Sequence, residues 1–90
     1  MTRPIKRASE PREFDWDSAL RVDARGLPCP QPLLAMRRAL KSLAPGSLLH
    51  LIATDPASGE DIRSFCRLSG VPLRRAECRG DEFHYWLSAI

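Results

Sequence analysis

The residue best suited to chemistry is Cys29, a thiol set between two prolines just ahead of a helical pattern. With Pro28, Pro30 and Pro32 around it the backbone is stiff, and a stiff loop presents its thiol outward. A helix N-terminus bears about half a positive charge and can lower a cysteine pKa from about 8.5 to roughly 3.5–7.5. Because two of these prolines remove N–H donors from the helix start, we expect a moderate lowering. The pattern predicts a reactive, rigidly presented thiol.

The other cysteines and both histidines lack such a pattern. Cys66 falls on the inward side of a predicted helix and Cys78 on a strand near a turn, so both are interpreted as structural residues. A resolving thiol for Cys29 is the alternative role for Cys66. His50 and His84 are single strand residues without Cys-x-x-Cys or His-x-x-x-His spacing, so no metal site is predicted. Three widely spaced cysteines argue against a disulfide framework and favour a reducing, cytoplasmic location.

Length and composition fit one small domain. The chain has 90 residues, 43% of them hydrophobic and 28% charged, with a formal net charge of +3. A chain of this size buries only about 60–65% of its unfolded surface, which leaves no room for a deep catalytic chamber beside a core. No apolar run of about 18 residues predicts a membrane span, and no secretory signal is evident. The charge is too small to indicate nucleic acid by itself, but it fits a partner with an acidic patch.

Hydrophobic periodicity predicts the order β-α-β-α-β-β. Because each β-α-β step favours a right-handed crossover and the last two strands form a hairpin, we expect a two-layer α/β sandwich. Its four-stranded mixed sheet has both helices on one face. A capping box of Ser58 and Asp61 is predicted to open the second helix, which ends at Gly70. The predicted strands are residues 20–23, 47–54, 71–78 and 83–87, and the predicted core side of the helices is Leu33, Met36, Leu40, Leu43, Ile62, Phe65, Cys66 and Leu68.

The chain is predicted to divide into a flexible extension, residues 1–19, and a folded domain, residues 20–90. The first 18 residues contain two prolines and many charges without periodicity, which is typical of a disordered or loosely docked segment. Phe14 and Trp16 are its large apolar side chains. Whether they pin the extension onto the domain stays open at this point.

The run from Asp23 to Pro32, Asp-Ala-Arg-Gly-Leu-Pro-Cys-Pro-Gln-Pro, resembles the signature of the TusA/SirA-like sulfur-carrier family. That signature has an aspartate, a glycine and then Cys-Pro-x-Pro opening a helix. Residues 53–56 and 61–70 are similar to the family's second-strand exit and second helix. The resemblance covers residues 20–90.

This resemblance implies that Cys29 accepts a persulfide from a cysteine desulfurase and passes the sulfur to an acceptor sulfur-relay or molybdenum-cofactor protein. Thiolation of tRNA and molybdenum-cofactor metabolism are the implied destinations. It associates Arg37 and Asp55 with docking to the desulfurase, and the parallel strands should bring Asp55 near Cys29. The chain itself is expected to be a monomer without a cofactor, a membrane contact or direct contact with nucleic acid. The residues interpreted as supports of the motif are Asp23, Gly26, Pro30 and Pro32.

Some residues leave alternatives open. Glu60 stands where sulfur-relay members have an arginine, and the reversed charge leaves the identity of the donor undecided. Arg37, with Arg38 and Lys41, could be only a solvated helix face. Asp55 could end its strand or cap the next helix.

Two other functions compete with sulfur transfer. A sheet face not covered by helices could bind RNA, with charge and stacking from Arg74, Arg75, Tyr85 and Trp86. An activated Cys29 could instead form reversible mixed disulfides as a redox sensor.

Overall fold

The structure is a computed structural model and describes residues 15–90. Its elements follow the predicted β-α-β-α-β-β order after one short 3₁₀ turn. The predicted extension falls mostly on residues 1–14, which lie outside the described part of the chain, as does Phe14. The elements are the turn Trp16–Ser18, β1 (Leu20–Ala24), α1 (Gln31–Lys41), β2 (Leu48–Ala53), α2 (Ser58–Ser69), β3 (Leu73–Arg79) and β4 (Glu82–Ser88).

The four strands form one mixed sheet in the order β1-β2-β4-β3. β1 pairs in parallel with β2, with Ala24 opposite Ala53 at their ends. β4 pairs antiparallel with both β2 and β3 and therefore lies between them. The predicted four-stranded mixed sheet is confirmed. Because β1 and β2 end at the same edge, the loops that follow them, which contain Cys29 and Asp55, start side by side.

The hydrophobic core lies between the sheet and the two helices. Met36 of α1 and Ile62 of α2 have no exposed surface, and both pack on the same sheet face. Burial of such a side chain stabilises the fold by about 1.5–3 kcal/mol. The two-layer sandwich is therefore as predicted. The buried core residues are Ala24, Met36, Leu49, Leu51, Ile62, Val71, Tyr85 and Leu87.

The start of α2 differs from the prediction. Ala57 is the N-cap and no side chain caps the helix, so the capping box of Ser58 and Asp61 is wrong. Ser58 is the first helical residue, and its hydroxyl donates to the Asp55 carbonyl oxygen at 2.8 Å. This bond leaves the Asp61 carboxylate available for another partner.

Two further differences lie at the far end of α2. Leu68 was predicted to be buried but is 89% exposed, because the apolar stripe of α2 ends at the half-buried Cys66. Gly70 ends the helix as predicted, with a φ of 85°. β3 begins at Leu73 instead of Val71.

The opposite face of the sheet is not covered by α1 or α2. Trp16 of the 3₁₀ turn packs there, its ring edge-on to the Trp86 ring with centroids 6.1 Å apart. This contact holds the 3₁₀ turn Trp16–Ser18 against the sheet, and whether the rest of the extension docks stays open. Neither helix in residues 15–90 has the length and apolar character that a bilayer crossing needs.

Candidate functional site

Cys29 lies exposed on the loop between β1 and α1, two residues before the first residue of α1. The loop turns at Gly26, whose φ of 81° lies in the left-handed region that favours glycine, as predicted. The Gly26 N–H donates to Thr54 Oγ1 at 2.9 Å. This bond fastens the Cys29 loop to the end of β2.

Asp55 connects the Cys29 loop to the start of α2. Its Oδ2 accepts a hydrogen bond from the Cys29 N–H at 2.5 Å, and its Oδ1 accepts one from the Ala57 N–H at 2.9 Å. These two bonds favour the charged carboxylate and lower the pKa of Asp55. The expectation that Asp55 lies near Cys29 is confirmed, whereas the alternative that Asp55 caps the next helix is wrong, because no side chain caps α2.

The thiol itself faces a second carboxylate. Cys29 Sγ donates to Asp61 Oδ2, with 2.5 Å between the two atoms. This hydrogen bond holds the proton on sulfur and, with desolvation and the negative charges of Asp61 and Asp55, raises the pKa of Cys29 to about 11.

The predicted lowering of the Cys29 pKa is therefore wrong. Pro30 is the N-cap of α1, so the thiol precedes the first turn instead of belonging to it. The hydrogen bond to Asp61 is the largest cause of the raised pKa of Cys29, and desolvation and the charges of Asp61 and Asp55 add to it. We call Cys29, Asp55 and Asp61 the thiol rim.

Two of the other predicted supports, Asp23 and Pro32, lie in β1 and α1 on either side of the Cys29 loop, and their role as supports stays a prediction. The Asp23 carboxylate accepts hydrogen bonds from the Arg25 backbone N–H at 3.1 Å and from its guanidinium at 2.9 Å. The guanidinium of Arg25 holds the pKa of Asp23 down at about 2, and it also reaches Glu82 at 3.2 Å. Because both ion pairs are exposed, they position the loop more than they stabilise it. Pro32 is buried in the first turn of α1.

Arg37 lies apart from the thiol rim. It is exposed on α1, about 9 Å along the helix axis from Gln31, and its guanidinium lies 5.5 Å from the Phe65 ring centroid. Glu60, by contrast, is exposed beside Asp61 in the first turn of α2. The charge near the sulfur is therefore negative.

The remaining cysteines are free thiols, as is Cys29. Cys66 is half-buried against the core, and burial raises the pKa of its thiol. This placement agrees with the structural interpretation. Cys78 is exposed on β3, with its Sγ 3.7 Å from the Gly80 carbonyl oxygen. Across residues 15–90, no three or more His, Cys, Asp or Glu side chains are grouped so that they could hold a metal ion.

The two histidines are not single residues, as the sequence suggested, but a pair. His50 Nε2 lies 2.8 Å from His84 Nδ1, and both rings are buried on the helix-free face. Sequence analysis missed this pair because its members are 34 positions apart. Only the insertion of β4 beside β2 brings them together.

The structure does not present the two aromatic rings that the RNA-binding interpretation requires. Tyr85 points to the helices and is 4% exposed, and Trp86 on the other face is 3% exposed. Bases stack on exposed aromatic rings. Neither ring is presented for stacking.

Known proteins resemble this chain over most of its length. The sequence model of the family described as "Sulfurtransferase TusA" matches residues 20–89. The "Sulfur carrier protein TusA" of Allochromatium vinosum is 39% identical over 71 residues, which cover 79% of this chain and 91% of that protein. The protein of the same name from Pseudomonas putida strain GB-1 is 39% identical over 75 residues, covering 83% and 91%.

A solved structure shows the same fold. The crystal structure of the SirA-like protein from Desulfitobacterium hafniense superposes with a TM-score of 0.69, covering 78% of this chain and 96% of that one, at 20% identity. The family model that matches residues 20–89 and the relatives at 39% identity point to one family, and the fold agrees with it. The chain belongs to the TusA sulfurtransferase family.

Proposed function

We propose that this protein is a sulfur carrier that holds one sulfane sulfur as a persulfide on Cys29. The observation that carries the proposal is an exposed thiol on a braced loop, at the position of the Cys-Pro-x-Pro motif, in a TusA-family chain. The names of the curated relatives support the same role.

The proposed transfer needs two thiols and no net oxidation. The Cys29 thiolate attacks the outer sulfur of a donor persulfide, so that a new S–S bond forms on Cys29 Sγ. The S–S bond of the donor breaks, and the donor leaves as a thiolate that takes up the proton lost by Cys29. An acceptor thiolate then attacks the terminal sulfur in the same way, and Cys29 is the leaving group.

The thiol rim sets when this attack can happen. With the pKa of Cys29 near 11, on the order of one thiol in 10⁴ is ionised at pH 7. The unloaded carrier is therefore protected from oxidation, which proceeds through the thiolate. A partner that places a positive group beside Asp61 and Asp55 would remove the cause of the shift and release the thiolate.

The partners we propose are a cysteine desulfurase as donor and a sulfur-relay or molybdenum-cofactor protein as acceptor. Asp55 and the neighbouring Asp61 support docking of a basic surface at the rim. Arg37 remains a proposed contact at a second point on α1. The exposed Glu60 adds to the negative charge at the rim, which favours a donor whose docking surface is basic at this point.

The experiment that tests the proposal is loading with a cysteine desulfurase and L-cysteine, followed by mass spectrometry without reductant. We expect the protein to gain the mass of one sulfur atom on Cys29. Cys78→Ser, which removes the other exposed thiol, should load like the wild type, and Cys29→Ser should not load. Equal loading of Cys29→Ser would end the proposal.

The redox-sensor alternative is not favoured by the site. A sensor cysteine reacts through a low-pKa thiolate, whereas Asp61 keeps the Cys29 thiol protonated. The predicted cytoplasmic location stays a prediction, supported by three free cysteines.

A further inference from the structure

A polar cavity of about 220 Å³ opens on the helix-free face of the sheet, away from the helices. Strand register places four of its side chains in one row across all four strands, from β3 through β4 and β2 to β1. The 3₁₀ turn adds one wall. We call this cavity the sheet pocket; its main lining residues are Trp16, Arg21, His50, Arg75, Arg79 and Trp86.

Positive charge exceeds negative charge in the sheet pocket. Arg75 and Arg79 both pair with the single carboxylate of Glu77. Arg21 also lines the pocket, and the ion pairs found within residues 15–90 do not include it. Three guanidinium groups therefore face two carboxylates, those of Glu77 and of Asp17, which lines the pocket as well.

Two of the three guanidinium groups, those of Arg75 and Arg79, lie against aromatic rings. The Arg75 guanidinium lies 5.2 Å from the Trp16 ring centroid and 4.5 Å from that of Trp86. Arg79 lies 5.7 Å from the Trp86 centroid. A planar, fixed guanidinium matches the oxygens of a phosphate better than a flexible ammonium does.

Trp86 supplies an independent sign of a ligand. Its Nε1 is buried and has no hydrogen-bond acceptor among residues 15–90, and the residue is 97% buried, with 3% of its surface exposed. Buried donors in native proteins are nearly always paired. A residue that lines the sheet pocket thus carries an unpaired buried donor, on the ring against which Arg75 and Arg79 lie.

A hydrogen-bonded chain adds an acceptor to the sheet pocket. Glu82 Oε1 lies 2.9 Å from His84 Nε2, and His84 Nδ1 lies 2.8 Å from His50 Nε2. Because the carboxylate can only accept, the proton belongs on His84 Nε2, and His50 Nε2 donates to His84 Nδ1. The other nitrogen of a neutral His50, Nδ1, is then an acceptor. Such a set suits an anion that also has an O–H group.

We infer that the sheet pocket binds a small phosphate-bearing molecule, anchored by Arg21, Arg75 and Arg79, with His50 accepting a hydrogen bond from a protonated phosphate oxygen. The source can be free phosphate or a phosphate monoester. The site lies on the opposite face of the sheet from the helices and uses none of the thiol rim. It therefore goes beyond sulfur transfer and does not depend on it.

Intrinsic fluorescence tests this inference, because the two tryptophans of the chain both line the sheet pocket. The full chain is titrated at constant ionic strength with inorganic phosphate, ribose 5-phosphate and, as a salt control, chloride. We expect a saturable change with at least one phosphate compound and none with chloride. Tighter binding of ribose 5-phosphate identifies a monoester as the ligand, and equal or weaker binding identifies free phosphate.

Matched variants separate the pocket from general charge. Arg21→Gln should weaken binding by about tenfold, the expected loss for one charge-assisted hydrogen bond. Arg79→Gln serves as a second variant should Arg21→Gln fail to fold. Arg38→Gln removes an exposed arginine from α1 and should bind like the wild type.

Three results would overturn the site. The first is a response to chloride equal to the response to phosphate. The second is binding that Arg21→Gln and Arg79→Gln leave unchanged. The third is binding of a short single-stranded RNA with no response to either phosphate compound, since that would make this face a nucleic-acid surface.

Discussion

The thiol rim and the sheet pocket lie on one small sheet but have opposite electrostatic surroundings. At the rim, two carboxylates face an exposed thiol and raise the pKa of Cys29 to about 11. In the sheet pocket, the pKa of His50 falls to about 4. Burial is the largest cause of this shift, and the charges of His84 and of nearby arginines add to it. Both groups are therefore neutral at pH 7. The comparison shows two routes to an uncharged group, since a hydrogen bond to Asp61 holds the proton on Cys29 whereas burial disfavours the charged form of His50, and nearby like charge adds to both shifts.

The two regions should differ most in what they contribute to stability. Trp86→Ala removes a buried ring that stacks on His50 with centroids 4.2 Å apart. We expect it to lower the free energy of unfolding by about 3–5 kcal/mol, as large-to-small changes of buried aromatics do. Asp61→Asn at the exposed rim should leave the urea midpoint close to the wild-type value. Equal losses in the two variants would contradict this division.

The largest expected effect on reactivity lies at the rim. Asp61→Asn removes the charge and weakens the acceptor that hold the proton on Cys29. The pKa should fall from about 11 toward the ordinary value of 9.0, and two pKa units correspond to about a hundredfold more thiolate at pH 7. The rate of alkylation by iodoacetamide, followed against pH, measures the shift.

Glu60→Gln is the matched control for this rim prediction. It removes the neighbouring exposed carboxylate of the same helix turn, which is not among the causes of the Cys29 shift. Its pH profile should match that of the wild type. An unchanged profile for Asp61→Asn would show that Asp61 does not hold the proton.

The pH dependence of stability should separate the two regions again. The pKa of His50 is near 4 in the folded chain and about 6.5 in the unfolded chain. Only the unfolded state therefore takes up this proton as the pH falls from 6.5 to 4. Stability should therefore drop over that window, by about 3 kcal/mol at most. Urea unfolding at pH 7.0, 5.5 and 4.5 measures the drop, and His50→Gln should flatten it.

The alkaline side reports on Cys29 by the same linkage. The folded thiol keeps its proton to about pH 11, whereas the unfolded thiol loses it near pH 9, so stability should fall between these two values. Cys29→Ser should remove that alkaline loss of stability and leave the loss between pH 6.5 and 4 unchanged. A single variant that altered both the acid and the alkaline loss of stability would show that the thiol rim and the sheet pocket are coupled.

Sequence analysis predicted the thiol rim only in part. The order of strands and helices follows from local periodicity, and the parallel pair β1–β2 was enough to place Asp55 beside Cys29. Asp61 was interpreted as a helix cap, because Ser58 three residues earlier fits that pattern. Asp61 lies in the first turn of α2, and α2 follows the end of β2, which was already predicted to lie beside Cys29. This position is the signal that could have placed Asp61 at the thiol.

The sheet pocket could not be predicted because it depends on strand order. His50 and Trp86 face each other only because β4 inserts between β2 and β3. The pattern of apolar residues predicts which face a side chain takes but not which strand lies beside it. Trp16 adds a wall from outside the sheet, and no periodicity in the sequence connects it to Arg75.

The smallest effect we expect concerns the turn that presents the thiol. Gly26 has a φ of 81°, and a Cβ there would meet no atom within 4 Å, so the penalty of Gly26→Ala comes from backbone conformation alone. We expect a loss of about 1 kcal/mol, together with slower persulfide loading because the loop shifts. Gly26→Asn, which tolerates this region better, should cost less and load faster than Gly26→Ala. Neither variant should alter the fluorescence response of the sheet pocket to phosphate, and a changed response would mean that the turn positions both regions.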